Sequence, residues 1–215
     1  MKSITLHALR RLPVAALVIF GGLALAPDGM QAQRRVAGTG YGSSVKTLFF
    51  TTQSPVATLP ADGGYVVGET QAFGVANTVE ARWLTATTTG SVSDASEPAS
   101  AQTVSEAENI SILNGLVRAD NVTAIASSFA NGGGAGSNAD GSGFVNLVVN
   151  GTRIATDVAP NTRVDLPLVG YVILNEQVRS GDGVQSTGIT VNMIHVRLLN
   201  GGEIIVGSAS SSVGS

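Results

Sequence analysis

The sequence predicts an all-β protein: an antiparallel β-sandwich or jelly-roll-like single domain preceded by a signal peptide, with a short solenoid as the alternative. Three observations predict it. Apolar and polar residues alternate with period two along many stretches, the pattern of strands with one face buried. Stripes at i, i+3, i+4 and i+7, the mark of amphipathic helices, are hard to find. Three Asn-Gly pairs, Asn114-Gly115, Asn150-Gly151 and Asn200-Gly201, sit where alternating runs meet. Asn and Gly both tolerate the positive φ that tight hairpin turns demand.

The N-terminal stretch reads as a separate object. Lys2, Arg10 and Arg11 make a basic start, and an apolar run from Leu12 to Ala26 follows. That run is shorter than the ~20 residues needed to span a bilayer. With cleavage after Ala32, residues 1–32 form a secretory signal peptide. Residues 33–44, "QRRVAGTGYGSS", are expected to be a flexible N-terminal arm, and residues 45–215 the sandwich.

Removing the leader takes away Lys2, Arg10, Arg11 and Asp28, which moves the formal charge from −3 to −5. A mildly acidic chain without clustered Lys and Arg is a poor partner for nucleic acid. It also offers no basic patch to anionic lipid, and no membrane insertion is expected once the leader is gone. The chain has no cysteine, so disulfides, thiolate metal sites and cysteine nucleophiles drop out. About 180 residues can still bury a sufficient core. The C-terminal "SASSSVGS" carries no recognisable anchor.

The hairpins fix registers. A two-residue loop at Asn114-Gly115 sets Ile112 against Val117 and Ile110 against Ala119. The same loop at Asn150-Gly151 sets Leu147 against Ile154, with Val145, Leu147 and Val149 on one face. A three-residue loop at Asn200–Gly202 sets Leu198 against Ile204 and Val196 against Val206. Each pairing puts apolar residues on a shared face. In the last run the phase flips: Ile189, Val191 and Met193 give way to Ile194, Val196 and Leu198. Such a flip predicts a bulge or a strand crossing at a corner. Residues 87–103 and the Gly-rich stretch 131–143 read as polar surface connections.

Candidate chemistry is sparse. His195, the lone histidine after the leader, shares a face with Arg197 and has no evident nucleophile or carboxylate beside it. Cross-strand packing or a hydrogen bond on a sheet face is the expected role. The stretch "GGAGSN" (133–138) approaches a calcium-binding β-roll repeat, with Asn138 where Asp is wanted. Read as an EF-hand, it closes on Leu147 where Glu is required. Glu106 and Glu108 are expected on a solvated sheet face. Trp83, Tyr65, Tyr171 and Tyr41 could line a sugar-binding surface, although Trp83 is expected in the core. The sequons at Asn109, Asn121 and Asn150 read as structural. No catalytic, cofactor-binding or metal-binding residue is assigned, no cofactor is expected, and the chain is read as a non-enzyme.

Two stretches, "NTRVDLPLVGYVILNEQ" (161–177) and "ITVNMIHVRLLNGGEIIVGSASS" (189–211), carry a resemblance, together with "GYGSSVKT", "PVATLPADGG", "ISILNGLVRADNVTAIASS" and "FVNLVVNGTRI" before them. The order resembles the choice-of-anchor P family of exported bacterial proteins, over nearly all of residues 38–211. The resemblance implies a secreted or surface β-rich domain with no assigned activity. The expectation is a secreted or cell-surface structural or adhesive protein. Its partners would be itself, by strand addition through the N-terminal arm, or extracellular matrix and envelope components. An extracellular carbohydrate-binding or carbohydrate-cleaving module is the alternative.

Overall fold

The computed structural model describes residues 34–92 and 98–214; the expected signal peptide lies outside the described residues. Two antiparallel sheets pack face to face. The first, six-stranded sheet holds β1 (Arg35–Lys46), β2 (Thr51–Thr58), β11 (Thr162–Leu166), β12 (Gly170–Gly181), β13 (Thr187–Leu198) and β14 (Glu203–Gly214), in the order β11-β12-β13-β14-β1-β2. The second, eight-stranded sheet runs β10 (Thr152–Arg153), β9 (Val148–Val149), β6 (Val117–Asn131), β5 (Ala99–Ile112), β4 (Val79–Ser91) and β3 (Gly63–Val75). Two short strands, β7 (Gly134–Asn138) and β8 (Gly143–Val145), also pair with β6.

The core is of two kinds. At one end Leu84, Ile112, Leu147, Leu174 and Ile194 are fully buried between the sheets, as large aliphatics must be to gain ~1.5–3 kcal/mol each. Toward the other end the interlayer narrows to Ala, Thr and Ser, closed by a small cluster of Val36, Leu59 and Val213. There Gly38 and Gly40 of β1 lie against the second sheet. A Cβ at Gly40 would stand 2.8 Å from Thr103 Cγ2, so no larger residue fits. Hydroxyls bridge the layers at this end: Ser105 donates to the Tyr41 carbonyl at 2.8 Å, and Ser128 and Ser211 hydroxyls meet at 2.8 Å.

Residues 35–44, expected as a flexible arm, instead form most of β1. This strand is interior, paired with β14 from Arg35↔Gly214 to Lys46↔Glu203 and with β2 on its other side. The small residues that suggested looseness are what this narrow interlayer requires. The sandwich therefore begins at residue 35 rather than 45. For the same reason much of residues 87–103 is strand, with Thr88, Ala99, Ala101 and Thr103 buried. The Gly-rich stretch also contains β7, whose Ser137 hydroxyl donates to the Gly188 carbonyl.

The first hairpin register holds as expected, Ile112↔Val117 and Ile110↔Ala119, and Ile154 donates to the Leu147 carbonyl at 2.9 Å. Val145 departs: Asn146, at φ 53, breaks the alternation and leaves it exposed. The third register is displaced by two residues, to Val196↔Ile204 and Ile194↔Val206, so the turn spans Leu199–Gly202. Asn200 Oδ1 accepts from the Gly202 N–H and Gly201 takes φ 80, which draws Leu199 into the turn. A shift of two preserves the apolar face.

Candidate functional site

The phase flip at Met193-Ile194 is one point on a crease that crosses the six-stranded sheet. On β13, Ile189, Val191 and Met193 face the core, then Ile194 and Val196 do. On β14 the buried set changes from Ile204 and Val206 to Ala209, Ser211 and Val213. The flip involves no inserted residue. Register is the same on both sides, and Asn175, Met193, Gly207, Gly42 and Pro55 lack a bridge partner at the crease. Asn175 (φ 51) and Gly207 (φ 68) adopt the left-handed backbone that turns a strand over.

The crease creates a polar row. Tyr41, Ser208, Asn192 and Glu176 are cross-strand partners on four successive strands. Ser208 Oγ donates to Asn192 Oδ1 at 2.7 Å, and Asn192 Nδ2 donates to Glu176 Oε2 at 2.7 Å. Because both strand segments flip, His195 returns to the same side three residues after Asn192. Its Nδ1–H donates to Glu176 Oε2 at 2.8 Å. The ring is 4% exposed, between Ile173 and Ile205 on its row, and its buried Nε2 has no hydrogen-bond partner. Contrary to the expectation from sequence, His195 does have a carboxylate partner. Residues three apart on a straight strand face opposite ways, so the contact was invisible without the crease. The expected hydrogen bond on a sheet face is nonetheless what the ring makes.

The hydrogen bond from His195 is the largest influence lowering the Glu176 pKa, opposed by burial and aided by Asn192. Burial pushes the Tyr41 phenol up, against a hydrogen bond with Ser208. Ser208 reaches Asn192 and Tyr41, not the imidazole, so no relay from carboxylate through ring to hydroxyl is assembled. The cluster of Glu176, Asn192, His195 and Ser208 ties β12, β13 and β14 together at the crease.

The second location is the outer face of the eight-stranded sheet. Trp83, expected in the core, is 57% exposed and sits at φ 48 in the middle of β4. Two compensating irregularities place it there. Between Arg82 and Thr85, β4 carries one extra residue against β5, and between Glu108 and Ser111, β5 carries one back, with Asn109 at φ 50. The register is therefore identical on either side, and the paired bulges alter only the stretch that holds the indole.

Beside Trp83 runs a groove of about 430 Å³, with Leu84 below and Glu69, Thr70, Gln71 and Thr85 along it. Glu69, Thr85, Glu106 and Thr123 are cross-strand partners in one row, which sets the two carboxylates roughly 10 Å apart at Cβ. Glu108 stands opposite Arg82 in the next row. Glu106 and Glu108 are solvent-exposed on this face, as expected. Tyr65 is also exposed, paired with Thr89 on the same sheet. Tyr171 instead lies under the Arg163 guanidinium, 3.9 Å from ring to cation, and Tyr41 belongs to the crease. The sugar-facing set named from sequence thus divides: Trp83 and Tyr65 share a sheet, while Tyr41 and Tyr171 are elsewhere.

No family model, curated protein or solved structure matches the chain. Trp83 and its surroundings are thus read on their own chemistry. An exposed indole face, two carboxylates, an amide and two threonine hydroxyls can stack on an apolar ring face and bond to hydroxyls around it. Asn138, the residue in the calcium-like stretch, turns its Oδ1 onto the Asp140 N–H. Among the described residues no three His, Asp or Glu side chains gather to hold a metal.

Proposed function

We propose that this chain is an exported adhesive β-domain that holds extracellular polysaccharide on the outer face of its eight-stranded sheet, without cleaving it. One observation carries the reading: a strained, register-neutral pair of bulges displays Trp83 beside a polar groove. Left-handed backbone at a non-glycine residue costs ~1–3 kcal/mol, and exposing an indole forfeits burial. Neither helps the fold. Both suit a pyranose ring, whose C–H face stacks on indole while Glu69, Gln71 and Glu106 accept or donate at its hydroxyls. The leader-like N-terminus and the motif resemblance favour an exported location.

Binding to a panel of immobilised polysaccharides tests this. The wild-type protein should be retained on at least one, and Trp83→Ala should weaken retention roughly 30-fold, the ~2 kcal/mol of a central aromatic anchor. Silence across the panel removes the reading. Release of new reducing ends from a bound glycan would move it to a hydrolase.

A further inference from the structure

Five large apolar side chains stand at the hairpin tips along one end of the six-stranded sheet. Phe49 is 94% exposed, Leu168 97%, Leu48 80%, Leu199 77% and Phe50 47%. They come from three turns, joining β1 to β2, β11 to β12 and β13 to β14, and all three turns lie at the same end. Two of the turns touch: the Leu199 N–H donates to the Val169 carbonyl at 2.9 Å. We propose that this row of tips inserts into the headgroup–acyl boundary of a lipid bilayer.

Three observations favour lipid over another protein. First, side chains exposed to this degree protrude, and protruding tips are enclosed by a fluid medium more readily than by a rigid surface. Second, the turn backbones are largely satisfied from within. Thr47 Oγ1 accepts from the N–H groups of Phe49 and Phe50 at 3.2 and 3.1 Å, Thr47 N–H reaches the Phe50 carbonyl, and Gly201 N–H reaches that of Leu198. Those N–H groups stay paired when the turns leave water, which lowers the cost of entering a bilayer. Third, a paired charge belt lies directly behind the tips: Glu203 sits 3.7 Å from Lys46 and 3.4 Å from Arg197, where headgroups would meet it.

Leu168 adds an independent sign. It occupies left-handed backbone at φ 65 while almost wholly exposed. The belt holds two cations around one carboxylate and no basic cluster, so a zwitterionic bilayer suffices. Leu48, Phe49 and Phe50 are consecutive, but Leu168 and Leu199 lie more than a hundred residues further on, so the patch exists only in the fold.

Residues 31–215 form one compact unit, so the form beginning at Gln33 is the material to test. It should co-sediment with phosphatidylcholine vesicles and stay bound at high salt. Phe49→Ser and Leu168→Asn should each lower partitioning about tenfold or more, at unchanged or higher thermal stability. Trp83→Ala should bind vesicles normally, which separates this surface from the glycan face. In a Trp83→Phe background, Phe49→Trp emission should move to the blue on adding vesicles. Wild-type protein remaining in the supernatant, vesicle binding indifferent to the tip substitutions, or tip-dependent self-association without vesicles would each overturn the proposal.

Discussion

Trp83 and Leu168 each hold a large apolar side chain in left-handed backbone and in solvent, two costs at one position. At Leu168, 97% exposed, nothing is recovered by packing. Leu168→Asn should therefore raise stability by ~1 kcal/mol, read as a higher denaturation midpoint, while it removes lipid contact. Glu176 is the opposite case, a side chain whose loss strands its neighbours. Glu176→Ala leaves the His195 Nδ1–H and the Asn192 amide without an acceptor, and should cost ~2–4 kcal/mol in chemical denaturation. Its pH dependence has a definite sign. The Glu176 pKa is lowered in the folded state, so its stabilisation is complete above the ordinary carboxylate range, about pH 4. It is then lost as pH falls through the lowered value. Glu176→Gln should flatten this acid limb of the stability curve.

At the scale of elements, hairpins were legible because Asn-Gly turns and alternating flanks are local signals. The crease was legible only in part. The apolar phase change on β13 is visible in sequence, but the same change on β12, β14 and β1 is masked by Gly, Ser and Asn, and one strand alone suggests an inserted residue. Glycine and serine misled most in β1, where composition implied an arm and close packing required a strand. Two outcomes follow for this strand. Deleting residues 33–44 removes the partner of both β14 and β2, and should leave the protein insoluble or unfolded by circular dichroism. Gly40→Val places branched carbon against Thr103 and should cost ~1–3 kcal/mol in thermal or chemical unfolding.

For the whole molecule, fold class was readable and surface function was not, and the reason is geometric. Trp83 could be judged only by rarity and hydrophobicity, which place a single tryptophan inside, until two distant irregularities in β4 and β5 were seen to cancel. The tip residues become a patch only once three hairpins align. The two surfaces lie on different sheets, so a doubly substituted protein, Trp83→Ala with Phe49→Ser, should lose glycan and lipid binding as the sum of the single effects. Finally, β1 and β14 lie side by side in the six-stranded sheet, Arg35 against Gly214. A chain that emerges N-terminus first, whether from a ribosome or through a translocation pore, cannot zip the middle of that sheet until residue 214 is free. Its earliest strand waits for its latest, which delays consolidation and keeps a partly emerged chain threadable.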